Sequence, residues 1–149
     1  MHHEKTERLF LEFPDLFQRE QLIHGFECQD GWFELIRSLA VRIREHQAQY
    51  PDTVNFEIVQ VIQKMGDLQV NIRGGDTVIQ NLIREAEQES RSICELDGEP
   101  AVGLFVCAPY WFRYLCETCS ELHGYMTIED YLGEKAIATP VHEHMQQSV

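Results

Sequence analysis

The side chains most suited to chemistry in this sequence are three cysteines and an aspartate, which occur in two short segments of the C-terminal half. The first segment, "SICELDGEP", contains Cys94 and Asp97 at the spacing Cys-x2-Asp. The second, "LCETC", contains Cys116 and Cys119 at the spacing Cys-x2-Cys. Eighteen residues separate Asp97 from Cys116. This is the spacing of a zinc ribbon in which aspartate replaces one cysteine.

Such a set of side chains suits a tetrahedral zinc ion, because both thiolate sulfur and carboxylate oxygen bind zinc. Gly98 follows the first pair and permits the positive φ of a tight turn. Asp97 is favoured as the fourth ligand, with His123 as the main alternative because imidazole is the more usual partner of three thiolates. Cys107 is a weaker alternative, since it lies within an apolar run. The predicted ligands of this closed, structural zinc site are Cys94, Asp97, Cys116 and Cys119.

The elements around these segments predict how the two halves of the site meet. Residues 101–107 and 111–116 are apolar runs separated by Ala-Pro-Tyr, and they predict a β-hairpin that brings the two segments together. Residues 77–94 carry apolar side chains at helical spacing after Asp76, which is a good N-cap. That helix would end at the first predicted ligand. A further short helix is predicted at 127–133.

The N-terminal half predicts the main body of the protein. "TERLFLEF" indicates a short helix that ends at Pro14. Residues 31–47 predict a long amphipathic helix with Asp30 as its N-cap, ended by a Tyr-Pro dipeptide. Residues 53–63 are rich in β-branched residues, and residues 68–73 alternate with Leu68, Val70 and Ile72 inward. The two segments flank a "KMGD" turn. They predict a second hairpin.

The first strand of that hairpin has a mixed pattern. Ile58 and Ile62 fall on one side of a regular strand, with Gln60 between them, while Val59 and Val61 fall on the other. The pattern indicates that both faces of the strand are partly covered.

Together these elements predict an α+β fold in which two main helices pack on a β-hairpin, with a zinc-ribbon-like second hairpin toward the C-terminus. We expect residues 1–138 to form a single domain that contains the zinc knuckle at 92–123. Residues 139–149 lack periodicity and predict a flexible tail.

Charge is the distinctive feature of the composition. The chain has 25 acidic residues against 12 lysines and arginines, a net charge of −13. Residues 75–149 contain 13 of the acids and only 4 of the bases. This charge repels phosphate backbones, which disfavours direct nucleic-acid binding, and favours a protein partner with a basic surface. Taken by itself, the surplus acid is favoured to serve solubility alone. A basic stripe on Arg37, Arg42 and Arg44 is a further alternative.

Cellular location is indicated by the apolar runs and the cysteines. No run approaches the ~18 residues of a membrane span, and the charged N-terminus lacks the apolar region of a secretory signal. The cysteines number five, which favours thiols or metal binding over a set of disulfides. We therefore expect a cytoplasmic protein with no membrane partner.

Other residues in the sequence suggest catalysis less strongly. Cys28 beside His24 resembles a nucleophile and base, but Glu27 and Asp30 would raise the pKa of the thiol. A buried structural thiol is the favoured interpretation.

Three weaker patterns involve carboxylates, glycines and histidines. Glu57 and Asp67 are the carboxylates considered for a hydrolase, but their spacing does not place them beside a base or an open metal. The "IRGGD" stretch at 72–76 lacks the lysine and hydroxyl of a phosphate loop and favours a helix cap. His142 and His144 in the predicted tail indicate at most weak metal binding.

Four separated motifs occur together in the chain: "GFECQDGWFELI", "IVQVIQKMGDLQVNI", "SICELDGEP" and "WFRYLCETC". Their order resembles that of a family of small bacterial and phage proteins with a Cys-x-Asp-Gly-Trp motif and a C-terminal Cys-x2-Cys-Gly-x-Pro knuckle closed by Leu-Cys-x2-His/Cys. The resemblance covers residues 25–119. It implies an α/β fold with a zinc knuckle, in which Cys94, Cys116 and Cys119 match ligand positions and Asp97 stands where the family has cysteine.

The function favoured by these features is that of a small acidic, non-enzymatic protein-binding module with a structural zinc knuckle. An alternative is a phage-encoded inhibitor, whose acidic surface imitates nucleic acid and occupies the basic groove of a host nucleic-acid enzyme or defence complex. A carboxylate-dependent hydrolase is the least favoured hypothesis.

Overall fold

The computed structural model describes residues 1–138, in which two three-stranded sheets are accompanied by five α-helices. The predicted tail, with His142 and His144, lies outside the described residues. The α+β class is confirmed: two long helices pack with a β-hairpin, and a second sheet toward the C-terminus carries the cysteine and aspartate cluster.

The N-terminal part contains three helices and one sheet. In chain order its elements are α1 (His3–Glu12), β1 (Phe26–Glu27), α2 (Phe33–Gln49), β2 (Phe56–Lys64), β3 (Asp67–Gly74) and α3 (Thr77–Glu89). The sheet order is β1-β2-β3, with β1 parallel and β3 antiparallel to β2.

The C-terminal part contains a second sheet and two helices. Its elements are β4 (Gly103–Cys107), β5 (Trp111–Leu115), α4 (Glu117–Leu122), β6 (Met126–Thr127) and α5 (Ile128–Ala138). The sheet order is β5-β4-β6, and both pairings are antiparallel. The predicted hairpin is therefore present, while β6 and α4 had no clear signal in the sequence.

The start of α2 differs from the prediction. The chain forms one 3₁₀ turn over Asp30–Trp32 before α2 begins at Phe33. Asp30 does not cap the helix, because its Oδ1 accepts a hydrogen bond from the backbone N–H of His2 at 2.6 Å. The predicted end of the helix is correct, since Tyr50 is the C-cap and Pro51 follows.

The mixed pattern of β2 is explained by an irregularity in its pairing with β3. Ile58 lies opposite Ile72, but Gln60 lies opposite Asn71, so that Val59 is an extra residue on β2. A bulge of this kind reverses which side of the strand faces inward. Ile58 and Val61, which would fall on opposite sides of a regular strand, are consequently both buried.

The second main helix is shorter than predicted. α3 ends at Glu89, and a 3₁₀ turn over Ser90–Ser92 leads to extended backbone at Ile93. The cap is confirmed, because Asp76 Oδ1 accepts a hydrogen bond from the backbone N–H of Ile79 at 2.8 Å.

Buried apolar side chains form two separate clusters. The larger cluster lies among α1, α2, α3 and the first sheet and includes Trp32, Ile43, Val61 and Ile79. The smaller cluster has only four buried members, which are Cys94, Phe105, Leu115 and Cys119. Half of this second core consists of predicted zinc ligands. None of the helices within residues 1–138 is both long and apolar enough to cross a membrane.

Candidate metal centre

The four predicted ligands come together at one point of the second sheet. Their ligand atoms, three Sγ atoms and one carboxylate oxygen, all lie within 4.8 Å of one another. The residues are Cys94, Asp97, Cys116 and Cys119. Three sulfurs and an oxygen at such separations match the donors and the number of ligands that zinc takes in structural sites.

The first half of the site is a tight turn over residues 94–99. It is closed by an isolated β-bridge between Ile93 and Pro100. The backbone N–H of Gly98 donates to the carbonyl of Cys94 at 2.9 Å, and Gly98 has φ +80°. The N–H of Cys94 donates to the carbonyl of Glu99 at 2.7 Å. The turn therefore needs a residue that tolerates the left-handed conformation, and glycine fills that position.

The second half of the site is the N-terminus of α4. Cys116 is the N-cap, and its Sγ accepts a hydrogen bond from the backbone N–H of Cys119 at 3.4 Å. Because both cysteines lie in the first turn of the helix, their side chains reach the same side of it. The sequence predicted the pair from its spacing but gave no indication of this helix.

Asp97 is held in place by its own turn. Its Oδ1 accepts a hydrogen bond from the backbone N–H of Glu99 at 2.9 Å. Its Oδ2 lies 3.3 Å from Cys116 Sγ and 3.2 Å from Cys119 Sγ. Burial raises the pKa of Asp97, but the hydrogen bonds from Glu99 and the three thiols outweigh it and bring the pKa to about 2.

Two of the three thiols have raised pKa values in this cluster. Burial raises the pKa of Cys94, although backbone N–H groups of Cys116, Asp97 and Leu96 favour its thiolate. Burial, the Asp97 carboxylate and the other two sulfurs raise the pKa of Cys119. The raised pKa values of Cys94 and Cys119 disfavour their thiolates. A divalent cation among the ligands would stabilise those thiolates. The donor set fits zinc on this chemical ground.

The two alternative ligands lie elsewhere. His123 is the exposed C-cap of α4, and its side chain is not part of the cluster. Cys107 ends β4 opposite Trp111, away from the other cysteines. Of the candidates for the fourth ligand, the structure brings only Asp97 to the three cysteines.

Glu95 is a buried residue of this region whose position the sequence did not reveal. A glutamate in so acidic a segment would ordinarily be exposed, but the exposed fraction of Glu95 is 0%. Its Oε2 forms an ion pair with Arg113 Nη1 of β5 at 2.6 Å and accepts the backbone N–H of Gln29 at 3.1 Å. Its Oε1 accepts from Gln63 Nε2 of β2 at 3.1 Å. The carboxylate thus joins the metal-site turn to both sheets.

The Cys-x-Asp-Gly-Trp segment packs directly against the same turn. The backbone N–H of Gly31 donates to the carbonyl of Glu95 at 2.7 Å, and Trp32 Nε1 donates to the carbonyl of Ile93 at 3.1 Å. A Cβ atom on Gly31 would lie only 2.1 Å from the carbonyl oxygen of Cys94. Glycine is therefore required there by close approach of two backbones.

The catalytic alternatives are separated or shielded by the fold. Cys28 is buried, and desolvation followed by the Glu95 charge raises its pKa to about 12, which disfavours a nucleophile. Glu57 pairs with Arg73 at 3.4 Å, and Asp67 pairs with Arg91 at 3.0 Å. The two carboxylates lie at opposite ends of the hairpin, about 20 Å apart at ~3.3 Å per strand residue.

The basic stripe on α2 is largely engaged. Arg37 forms a two-pronged ion pair with Glu12, with contacts of 2.6 and 3.1 Å. Arg44 donates to the carbonyl of Glu12 and lies over the ring of Phe13 at 4.3 Å. Arg37 and Arg44 are therefore engaged in contacts that hold α1 against α2.

No protein-family model, curated protein or solved structure matches this chain. The resemblance to the bacterial and phage proteins, together with the ligand positions it implies, therefore stays a prediction.

Proposed function

We propose that this protein is a small acidic, non-enzymatic binding module, in which a structural zinc ion holds the second sheet together and the acidic surface binds a protein with a basic surface. The observation that carries the proposal is the group of four ligand atoms within 4.8 Å of one another. Four protein ligands complete a tetrahedron and leave no position for substrate, which is typical of structural zinc.

The binding half of the proposal is supported by charge. The surface acids beside the knuckle include Glu117 and Glu121 on α4, both exposed. Arg113 is the basic residue of the 95–121 span, and its charge is paired with buried Glu95. The knuckle surface therefore presents negative charge, which steers basic partners and repels phosphate. A cytoplasmic location is part of the proposal, because a reducing environment keeps cysteines free of disulfides and available to zinc.

The experiment is affinity capture from lysate with a Glu117→Lys/Glu121→Lys variant and a matched Asp15→Lys/Glu20→Lys control, whose exposed acids lie in the other half of the chain. We expect the wild type and the control to retain a basic protein that is released by salt, and the α4 variant to lose it. Equal capture by all three proteins would contradict the proposal. Capture of a nucleic-acid enzyme or defence complex would favour the inhibitor hypothesis as its particular form.

A further inference from the structure

A cavity of about 790 Å³ lies where α2 ends and α3 begins, away from the metal centre. Its lining includes His46, Tyr50, Pro51, Asp52, Asp76 and Val78. No lysine or arginine is among the residues that line it. The described residues contain one group of side chains close enough to hold a metal ion, and that group is the cysteine cluster. That group includes no residue of this cavity.

The floor of the cavity is held by three contacts. His46 Nε2 lies 2.7 Å from Asp76 Oδ2, and the other oxygen of Asp76 caps α3. The rings of His46 and Tyr50 lie 5.0 Å apart between centroids, tilted by 39°. The His46 side chain is only 10% exposed. These contacts fix the floor before any ligand arrives, which lowers the entropic cost of binding.

The walls are apolar and open to solvent. Tyr50 is 58% exposed and Val78 is 47% exposed, with Pro51 between α2 and the cavity mouth. An exposed aromatic ring beside aliphatic side chains offers a flat surface on which a planar group can stack.

The charge around the cavity is negative. Asp52 is exposed and forms no ion pair within residues 1–138, and the carboxylate of Asp76 is engaged by His46 and the α3 cap. The C-terminus of α2 also points here, and the carbonyl groups of a last helical turn carry partial negative charge. The free carboxylate and the helix end therefore act together on a ligand at the cavity mouth.

We propose that this cavity binds an arginine side chain of the basic protein partner, with the guanidinium group paired with Asp52 and stacked on Tyr50. The inference rests on the proposed function and adds a second contact with that partner, separate from the acidic knuckle surface. Arginine is favoured over lysine because its planar group both stacks on an aromatic ring and pairs with a carboxylate through two N–H groups.

The test is titration of the full-length, zinc-loaded protein with acetyl-Gly-Arg-Gly-Arg-Gly-amide, followed by calorimetry and NMR. Matched peptides carry lysine or citrulline in place of arginine. We expect arginine to bind best and citrulline least. Asp52→Asn and Tyr50→Leu should each weaken arginine binding about two- to fivefold, while Tyr50→Phe retains it. The control Asp15→Asn removes an equally exposed carboxylate elsewhere and should have no effect.

Equal weakening by the control, or unchanged binding by both cavity variants, would overturn the assignment. Lysine binding as tight as arginine binding would overturn the stacking arrangement. Affinity capture with the cavity variants distinguishes failure of the cavity assignment from failure of the proposed function. A partner that still binds Asp52→Asn and Tyr50→Leu contradicts the cavity alone, whereas the absence of any basic partner contradicts the proposed function.

Discussion

At the scale of single residues, the position of one turn brings Asp97 rather than His123 to the three cysteines. Asp97 is fixed by the N–H of Glu99 and directs its other oxygen toward two sulfurs. His123 caps the far end of α4 and lies outside the cluster. Spacing alone left Asp97 and His123 as close alternatives. The sequence does not show that α4 forms and places His123 at its end away from the cysteines.

We predict that Asp97→Ala weakens zinc binding by at least about a hundredfold, since it removes a direct ligand. His123→Ala serves as the control and should leave zinc affinity unchanged. Asp97→Cys should bind zinc at least as tightly as the wild type, because four thiolates are a standard structural set. Competition with a chromophoric chelator measures each affinity. An equal loss in the His123 variant would contradict the assignment.

The second prediction concerns the buried ion pair beside the site. Glu95→Gln removes the opposite charge from Arg113, which keeps its hydrogen bond to Tyr125. It should lower the free energy of unfolding by about 3–5 kcal/mol, because an uncompensated buried charge is costly. Exposed Glu99 provides the control. Glu99→Gln should change the free energy of unfolding by less than about 0.5 kcal/mol. Urea unfolding at neutral pH measures both. A similarly small effect for Glu95→Gln would show that the pair does not join the sheets.

At the scale of elements, the Cys-x-Asp-Gly-Trp segment and the metal-site turn act as one unit. We predict that Gly31→Ala destabilises the protein by about 2–3 kcal/mol and weakens zinc binding, because the new methyl group would overlap the backbone of Cys94. Gly103→Ala is a matched control, since a Cβ atom there meets nothing within 4 Å. Thermal unfolding and zinc competition on both variants check this. Similar behaviour of the two variants would count against the coupling.

Elements with strong periodicity were predictable from the sequence, and those set by tertiary contacts were not. The stripe of α2 and the alternation of β3 gave their positions, and Asp76 gave the start of α3. The bulge at Val59 was indicated only by an interrupted pattern, since pairing with β3 determines it. Burial of Glu95 depends on Gln29, Gln63 and Arg113, which are distant in sequence. No local pattern marks such a residue.

At the scale of the whole molecule, the two buried clusters predict unequal dependence on metal. The main core is large enough to stand without a ligand, but the second has four buried members, of which Cys94 and Cys119 are candidate zinc ligands. A cluster of that size supplies little hydrophobic stabilisation by itself. The zinc ion would therefore supply much of the stability that a larger hydrophobic core would otherwise give the second sheet.

We predict that chelation opens the second sheet while the first remains folded. Hydrogen exchange measured with and without a zinc chelator should show loss of protection in β4, β5 and α4, with α2 and α3 retaining theirs. Loss of protection across both parts would contradict the independence of the main core. Unchanged protection everywhere would contradict a stabilising role for zinc.

The most direct measurement of the central claim is the metal content of the protein purified without chelator, by native mass spectrometry combined with thiol alkylation. The account predicts one zinc ion per chain and protection of Cys94, Cys116 and Cys119 from alkylation until zinc is removed. A chain without zinc that takes up none on reconstitution, or alkylation of those three thiols while zinc is bound, would contradict it.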